Sequence, residues 1–205
     1  MTRIWQHAAG AKGQQRLEEI LTVAAELFVT RGYEQTSTLD IAAEVGIAKG
    51  SLYYYIGSKE ELLFRIVLRN HELLHSFVIE PGLGGTDALE AIRTFITRHV
   101  TFTLTHGTAS TLYRQQLRVV QSVNEWREAL TVARRAHETA LIDLIKSAQA
   151  ERPSSDQLDA SLTARALLSM ANSALNWYRG DGPHSVAAVA EHHAELAVRA
   201  LAFQR

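Results

Sequence analysis

Two groups of residues in this chain have types and spacing suited to chemistry. The first is His71-Glu72-Leu73-Leu74-His75. On a helix, an H-E-x-x-H spacing sets both imidazoles on one face with a carboxylate beside them. That is the pattern of a zinc hydrolase whose glutamate serves as base. Such a site needs a third ligand, and His99 and His106 are the candidates, neither at motif spacing. The same pair could instead hold the effector metal of a metal-responsive regulator. The second group is Lys49-Gly50-Ser51 followed by Tyr53-Tyr54-Tyr55. Lysine neutralises a phosphate, glycine lets a backbone N–H approach one, and tyrosine offers a hydroxyl to phosphate and a ring edge to a thymine methyl. The plain alternative for three tyrosines is core packing. Adjacent helical residues point about 100° apart, so all three cannot be buried, and one is expected to lie inside.

The elements that must position these groups read as helices almost throughout. Leu17, Ile20, Leu21, Ala24, Leu27 and Phe28 form one stripe of a first helix, with Gly32 as its stop. Ser37 or Thr38 caps a short second helix carrying Leu39, Ile41, Ala42 and Val45, and Gly46 ends it. A third short helix runs from Ala48 to Tyr55. Ser58-Lys59-Glu60-Glu61 then forms a capping box for a fourth, which carries Leu62, Leu63, Ile66, Leu73 and Phe77. Pro81-Gly82-Leu83-Gly84-Gly85 is a loop. Further helices are expected over 87–106, 109–122, 124–150, 156–179 and 185–203. The last two are rich in alanine, which permits close helix approach within the fold or in a self-association surface. The expectation is an all-α fold of about nine helices.

Composition narrows the function classes. A chain of 205 residues has room for one large domain or a small and a medium one. The absence of cysteine excludes disulfides, thiolate metal sites and cysteine catalysis. A net charge of −1 argues against a nucleic-acid coat and leaves room for a local basic face. Arg3, Lys12 and Arg16 precede the first acid, Glu18, so a basic N-terminal arm is expected, with a solvated tail as the alternative. The N-terminus lacks the apolar core of a signal peptide, and no run approaches the ~20 apolar residues of a membrane span. The expected location is the cytoplasm. No P-loop, dinucleotide fingerprint or Gly-x-Ser-x-Gly elbow occurs.

Residues 36–64, TSTLDIAAEVGIAKGSLYYYIGSKEELLF, describe a helix-turn-helix. Ile41, Ala42, Val45, Ile47 and Leu52 supply its packing faces, and Gly46 the turn. Over about 14–64 the chain strongly resembles the TetR family of bacterial transcriptional regulators. The resemblance implies a three-helix DNA-binding domain at 1–60 and a helical ligand-binding and dimerisation domain at 61–205. It implies a homodimer that represses at a palindromic operator and is released by a small hydrophobic molecule. Thr38 would touch phosphate, Lys49, Gly50, Ser51, Tyr53 and Tyr54 would form the recognition face, and Lys59 would contact the DNA backbone. Tyr55 stands where relatives usually carry histidine, and Ile56 where they carry phenylalanine. The resemblance also implies an internal pocket, for which Phe102, Tyr113, Trp126 and Trp177 are candidate linings. The run Asn176-Trp177-Tyr178-Arg179-Gly180 and the segment Tyr113-Arg114-Gln115-Gln116 are similar to relatives that respond to acyl-CoA thioesters. Such a ligand needs cations for its phosphates, here Arg114, Arg118 and Arg179. Arg179 has a plainer reading as a helix C-cap. No cofactor, metal or catalytic residue is implied.

Overall fold

The structure, a computed structural model, describes residues 10–83, 87–153 and 157–202. Those residues form ten helices and no strand: α1 (Ala11–Thr30), α2 (Thr38–Val45), α3 (Lys49–Tyr55), α4 (Lys59–Ile79), α5 (Ala88–Thr105), α6 (Thr108–Gln115), α7 (Leu117–Val120), α8 (Asn124–Glu151), α9 (Ala160–Trp177) and α10 (Val186–Ala202). The one additional helix comes from the stretch expected over 109–122, which breaks at Gln116 into α6 and α7. No glycine or proline marks that break in the sequence. Arg3 of the expected basic arm lies outside the described residues. Lys12 and Arg16 belong to α1, where Arg16 pairs with Glu19 at 2.7 Å. Among the described residues no helix is long and apolar enough to cross a membrane.

The chain divides into two compact units, the first of residues 1–70 and 108–129, the second of 71–107 and 130–205. In the first, the α1 stripe Leu17, Ile20, Leu21, Ala24, Leu27 and Phe28 is buried, as its period requires. Tyr33 packs edge-on against Phe28, ring centroids 5.0 Å apart. The α2 N-terminus is closed by a full capping box: Asp40 N–H donates to Ser37 Oγ at 3.1 Å, and Ser37 N–H donates to Asp40 Oδ2 at 2.8 Å. Ser37 Oγ–H also donates to Asp40 Oδ2 at 2.6 Å, and that bond, then the one from Ser37 N–H, holds the Asp40 carboxyl below its usual range. At the other end Gly46 has φ 75°, the left-handed conformation that turns the chain from α2 toward α3.

In the second unit the core gathers from five helices around Phe95, Ile92, Ile96 and Val100 of α5. α10 packs against α5 through its alanines, with Ala190, Ala194 and Ala197 fully buried. On the rim, Arg93 of α5 reaches Glu191 at 2.9 Å and Glu195 at 2.8 Å on α10. The α4 C-terminus is closed by Arg98, which donates to the carbonyls of Val78 and Gly82 at 3.0 and 2.6 Å.

Candidate nucleic-acid interface and interior histidine cluster

α3 buries a single residue, Leu52. Lys49, Gly50, Ser51, Tyr53 and Tyr54 are all exposed, so the residues expected to read DNA share the outward side of one short helix. Tyr55 is the least exposed of the triplet, but it is half-buried rather than inside. Leu52 already takes the inward position, and the Tyr55 ring turns edge-on to Tyr54 at 5.2 Å. The Lys49 ammonium stands 6.0 Å from the centroid of the Tyr53 ring. The Tyr53 hydroxyl shares a 3.1 Å hydrogen bond with the hydroxyl of Thr38, the first residue of α2. Thr38 and the recognition face are therefore one hydrogen-bonded surface.

Gly50 is informative because the fold does not need it. Its φ is not positive, and a Cβ built there meets nothing within 4 Å. The missing side chain leaves the outer surface open to close approach. Gly46, by contrast, is held by its backbone conformation.

Lys59, expected to contact the DNA backbone, lies over the Tyr33 ring at 4.2 Å and donates to the Glu34 carbonyl at 3.4 Å. It joins the start of α4 to the loop after α1. The box expected at Ser58 forms with one change. Glu61 N–H donates to Ser58 Oγ at 3.1 Å, while the Glu61 carboxylate accepts from Gly57 N–H rather than Ser58 N–H. That carboxylate also takes Arg65 Nε at 2.8 Å, and Arg65 Nη1 donates to the Tyr55 carbonyl at 3.2 Å. Arg65 is 3% exposed. This clasp neutralises the C-terminal end of α3 and holds it to α4. Sequence reasoning missed Arg65, since a lone arginine in a helix normally reads as surface. Its place one turn after Glu61 was the available signal.

The pocket candidates are scattered. Phe102 is buried in the second unit against Phe77 and His106, at centroid distances of 5.6 and 4.5 Å. Trp126 is half-buried in the first unit and stacks on Phe64 at 5.0 Å. The side chains of Tyr113 and Arg114 lie outside the described residues. Arg118 is exposed. Arg179 is exposed and pairs with Asp181 at 3.3 Å. Trp177, half exposed, borders a groove of about 480 Å³ with His184, Ala188, Val189, His192 and His193.

The H-E-x-x-H residues do not share one site. Glu72 is exposed, whereas His75 turns its Nδ1 into the interior of the second unit. There the imidazoles meet His99 of α5 and His137 of α8, with His75 edge-on to His137 at 5.8 Å between centroids. His99 Nδ1 and His137 Nε2 are 2.9 Å apart, and His99 Nε2 lies 3.2 Å from Asn172 Oδ1 of α9. Burial lowers the pKa of His71 and of His99 to about 4, with the positive charge of Arg134 adding to the effect at His71. Burial, then the neighbouring histidines, push His137 down as well. Neutral imidazoles result. Among the described residues no group of three or more His, Asp or Glu side chains is arranged to hold a metal ion.

An exposed recognition helix on a capped helix-turn-helix, joined in one chain to a separate helical core, defines a DNA-binding regulator. Residues 20–66 match the family model for bacterial regulatory proteins of the tetR family, and residues 85–201 match the tetracyclin repressor-like C-terminal domain. The chain belongs to the TetR family of transcriptional regulators. It is 28% identical over 191 residues to the HTH-type transcriptional repressor KstR2 of Rhodococcus jostii, covering 91% of each protein. Among solved structures it is similar to the TetR family regulator PfmR of Thermus thermophilus, at 33% identity and a TM-score of 0.74, covering 88% of this chain and 97% of that one. It has the fold of AibR, solved with isovaleryl coenzyme A and operator DNA, at 24% identity and a TM-score of 0.72, covering 89% and 96%.

Proposed function

We propose that the protein is a cytoplasmic, ligand-responsive repressor that binds a near-palindromic operator as a homodimer and leaves it when a small apolar effector binds. The observation that carries the DNA reading is the outward face of α3, where Lys49, Gly50, Ser51, Tyr53 and Tyr54 are exposed together while Leu52 alone is buried. Lys49 and Thr38 serve phosphates, and Tyr53 and Tyr54 reach base edges. Tyr55 stands at the margin of that face, and Lys59 contacts the backbone once it leaves the Tyr33 ring.

Two copies must set their recognition helices at successive major grooves, about 34–36 Å apart. The surface favoured for pairing is the exposed side of α9 and α10, where Leu162, Ala166, Trp177, Ala188 and Leu196 are left in solvent. An effector that prefers a different spacing of the heads lowers operator affinity by its differential affinity for the two states.

The effector class favoured is an acyl-CoA thioester. Support comes from the likeness to KstR2 and to AibR, whose own complex holds isovaleryl coenzyme A. Within the second unit, Phe102 and Trp177 are the proposed apolar contacts and Arg179 the proposed phosphate partner; Tyr113, Arg114, Arg118 and Trp126 belong to the first unit. No observation favours the zinc hydrolase, because Glu72 and the buried edge of His75 do not face a common site.

Operator footprinting of Lys49→Ala/Tyr54→Ala tests the first part: protection is lost while the melting temperature stays within about 2 °C, since both side chains are exposed. Normal footprints from that variant overturn the assigned face. A thermal-shift panel of CoA thioesters tests the second part. Stabilisation by an uncharged hydrophobe and by no thioester removes the acyl-CoA reading.

A further inference from the structure

A polar chain runs from the exposed Asn172 of α9 into the interior of the second unit, where it has an open end. Asn172 Oδ1 is an acceptor, so the His99 nitrogen 3.2 Å from it, Nε2, carries the proton. A neutral His99 then has a lone pair on Nδ1, and His137 Nε2 donates to it across 2.9 Å. A neutral His137 is thereby left with a lone pair on Nδ1. That atom is buried and has no hydrogen-bond partner among the described residues, and His137 as a whole is 6% exposed. On the adjoining ring, His75 Nδ1 is buried and without a partner as well. Phe95 closes one side, its ring 4.8 Å from that of His137. Buried nitrogens left without a partner are costly, and each such site in a native protein calls for an explanation, an ordered water or a bound hydrogen-bond donor among them.

We infer that His137 Nδ1, with His75 Nδ1 beside it, is a polar subsite for a hydroxyl or other hydrogen-bond donor carried by an otherwise apolar ligand. The chain of tautomers makes the subsite selective. With Asn172 Oδ1 accepting from His99, the far end can only accept, so it takes an alcohol or phenol and rejects a ketone of the same shape. A metal ion is the other occupant that imidazole lone pairs attract, but three ligands are not brought together among the described residues. The inference deepens the effector reading, on which it rests for the consequence of binding but not for the subsite itself.

The test uses full-length protein labelled with nitrogen-15 in its histidines, titrated with 4-ethylphenol, ethylbenzene and acetophenone. The expected result is a shift of the His137 Nδ1 resonance by 4-ethylphenol alone. The phenol should bind about 10-fold tighter than either other probe, the worth of one buried hydrogen bond. In His137→Phe that preference disappears while ethylbenzene still binds. If 4-ethylphenol leaves the His137 signal unmoved up to its solubility limit, or keeps its preference in His137→Phe, the subsite is wrong. The wild-type spectrum decides the matter alone should the variant not fold. Operator release is measured separately. A phenol seated on His137 with DNA still bound defeats the effector reading only, and release by a thioester with His137 unmoved by the phenol defeats the subsite only.

Discussion

The Thr38 and Tyr53 hydroxyls, fifteen residues apart in sequence, share a 3.1 Å hydrogen bond that joins the first turn of α2 to the outer side of α3. Both groups are at the surface, so the bond adds little stability, but it orients two hydroxyls that belong to the proposed DNA-binding face. A double-mutant cycle with Thr38→Val and Tyr53→Phe should show each change weakening operator binding several-fold, with non-additive effects in the double variant. Melting temperatures should stay within about 2 °C of the parent. Strict additivity in gel-shift affinities would mean that the bond has no part in recognition.

The two glycines of the helix-turn-helix should respond oppositely to alanine. Gly46→Ala places a Cβ at φ 75° and should destabilise the fold by about 1–2 kcal/mol from backbone strain alone, since open space surrounds the site. Gly50→Ala lies in ordinary helix and should raise stability by roughly 0.5–1 kcal/mol, yet weaken DNA binding by blocking close approach. Urea unfolding paired with gel-shift titration reads both signs. A Gly50→Ala protein that binds as well as the parent removes the close-approach role.

Arg65 carries more of the first unit's stability than its charge suggests. Removing it strands the Glu61 carboxylate, 25% exposed, and frees the Tyr55 carbonyl. Arg65→Met should cost about 2–4 kcal/mol in urea unfolding. Glu61→Gln/Arg65→Met should recover part of that loss, because no charge is left unpaired. Equal losses from the single and double variants would show that the clasp is not the cause.

The histidine cluster makes the second unit sensitive to acid. His71 and His99 have pKa values of about 4 in the fold against about 6.5 when unfolded. Between those limits the unfolded chain binds more protons than the folded one. Stability is therefore full above pH 6.5 and declines as pH falls toward 4. His99 alone should remove on the order of 2 kcal/mol by about pH 5, a drop of roughly 4–8 °C in melting temperature. Calorimetry from about pH 7.5 to 5 checks this, and His99→Phe should flatten the slope. A melting temperature independent of pH would place these rings in contact with solvent.

The outward side of α3 was legible in the sequence because its cues are local. Leu52 among polar and aromatic neighbours assigns an inside and an outside to a helix of seven residues, and Gly46 and Ser37 mark the ends of α2. The interior polar chain was not legible. His71 and His75 announce themselves by spacing, but His99, His137 and Asn172 come from three other helices, well further along the chain. Nothing in their flanking residues says that they meet. The spacing alone suggested a metal-binding pair, whereas the rotation of α4 sends Glu72 to solvent and His75 Nδ1 inward.

What the amino-acid order determined by itself was the helical class, the capped helix-turn-helix, its outward residues and the family, all of which follow from periods and caps within a few turns. Only the tertiary structure decided that Arg65 is buried against the end of α3, that Lys59 rests on Tyr33, and that two imidazoles and an amide line up toward the open His137 Nδ1. Those pairings join residues far apart in the chain, and their geometry depends on how each helix is rotated about its axis when its apolar stripe is buried.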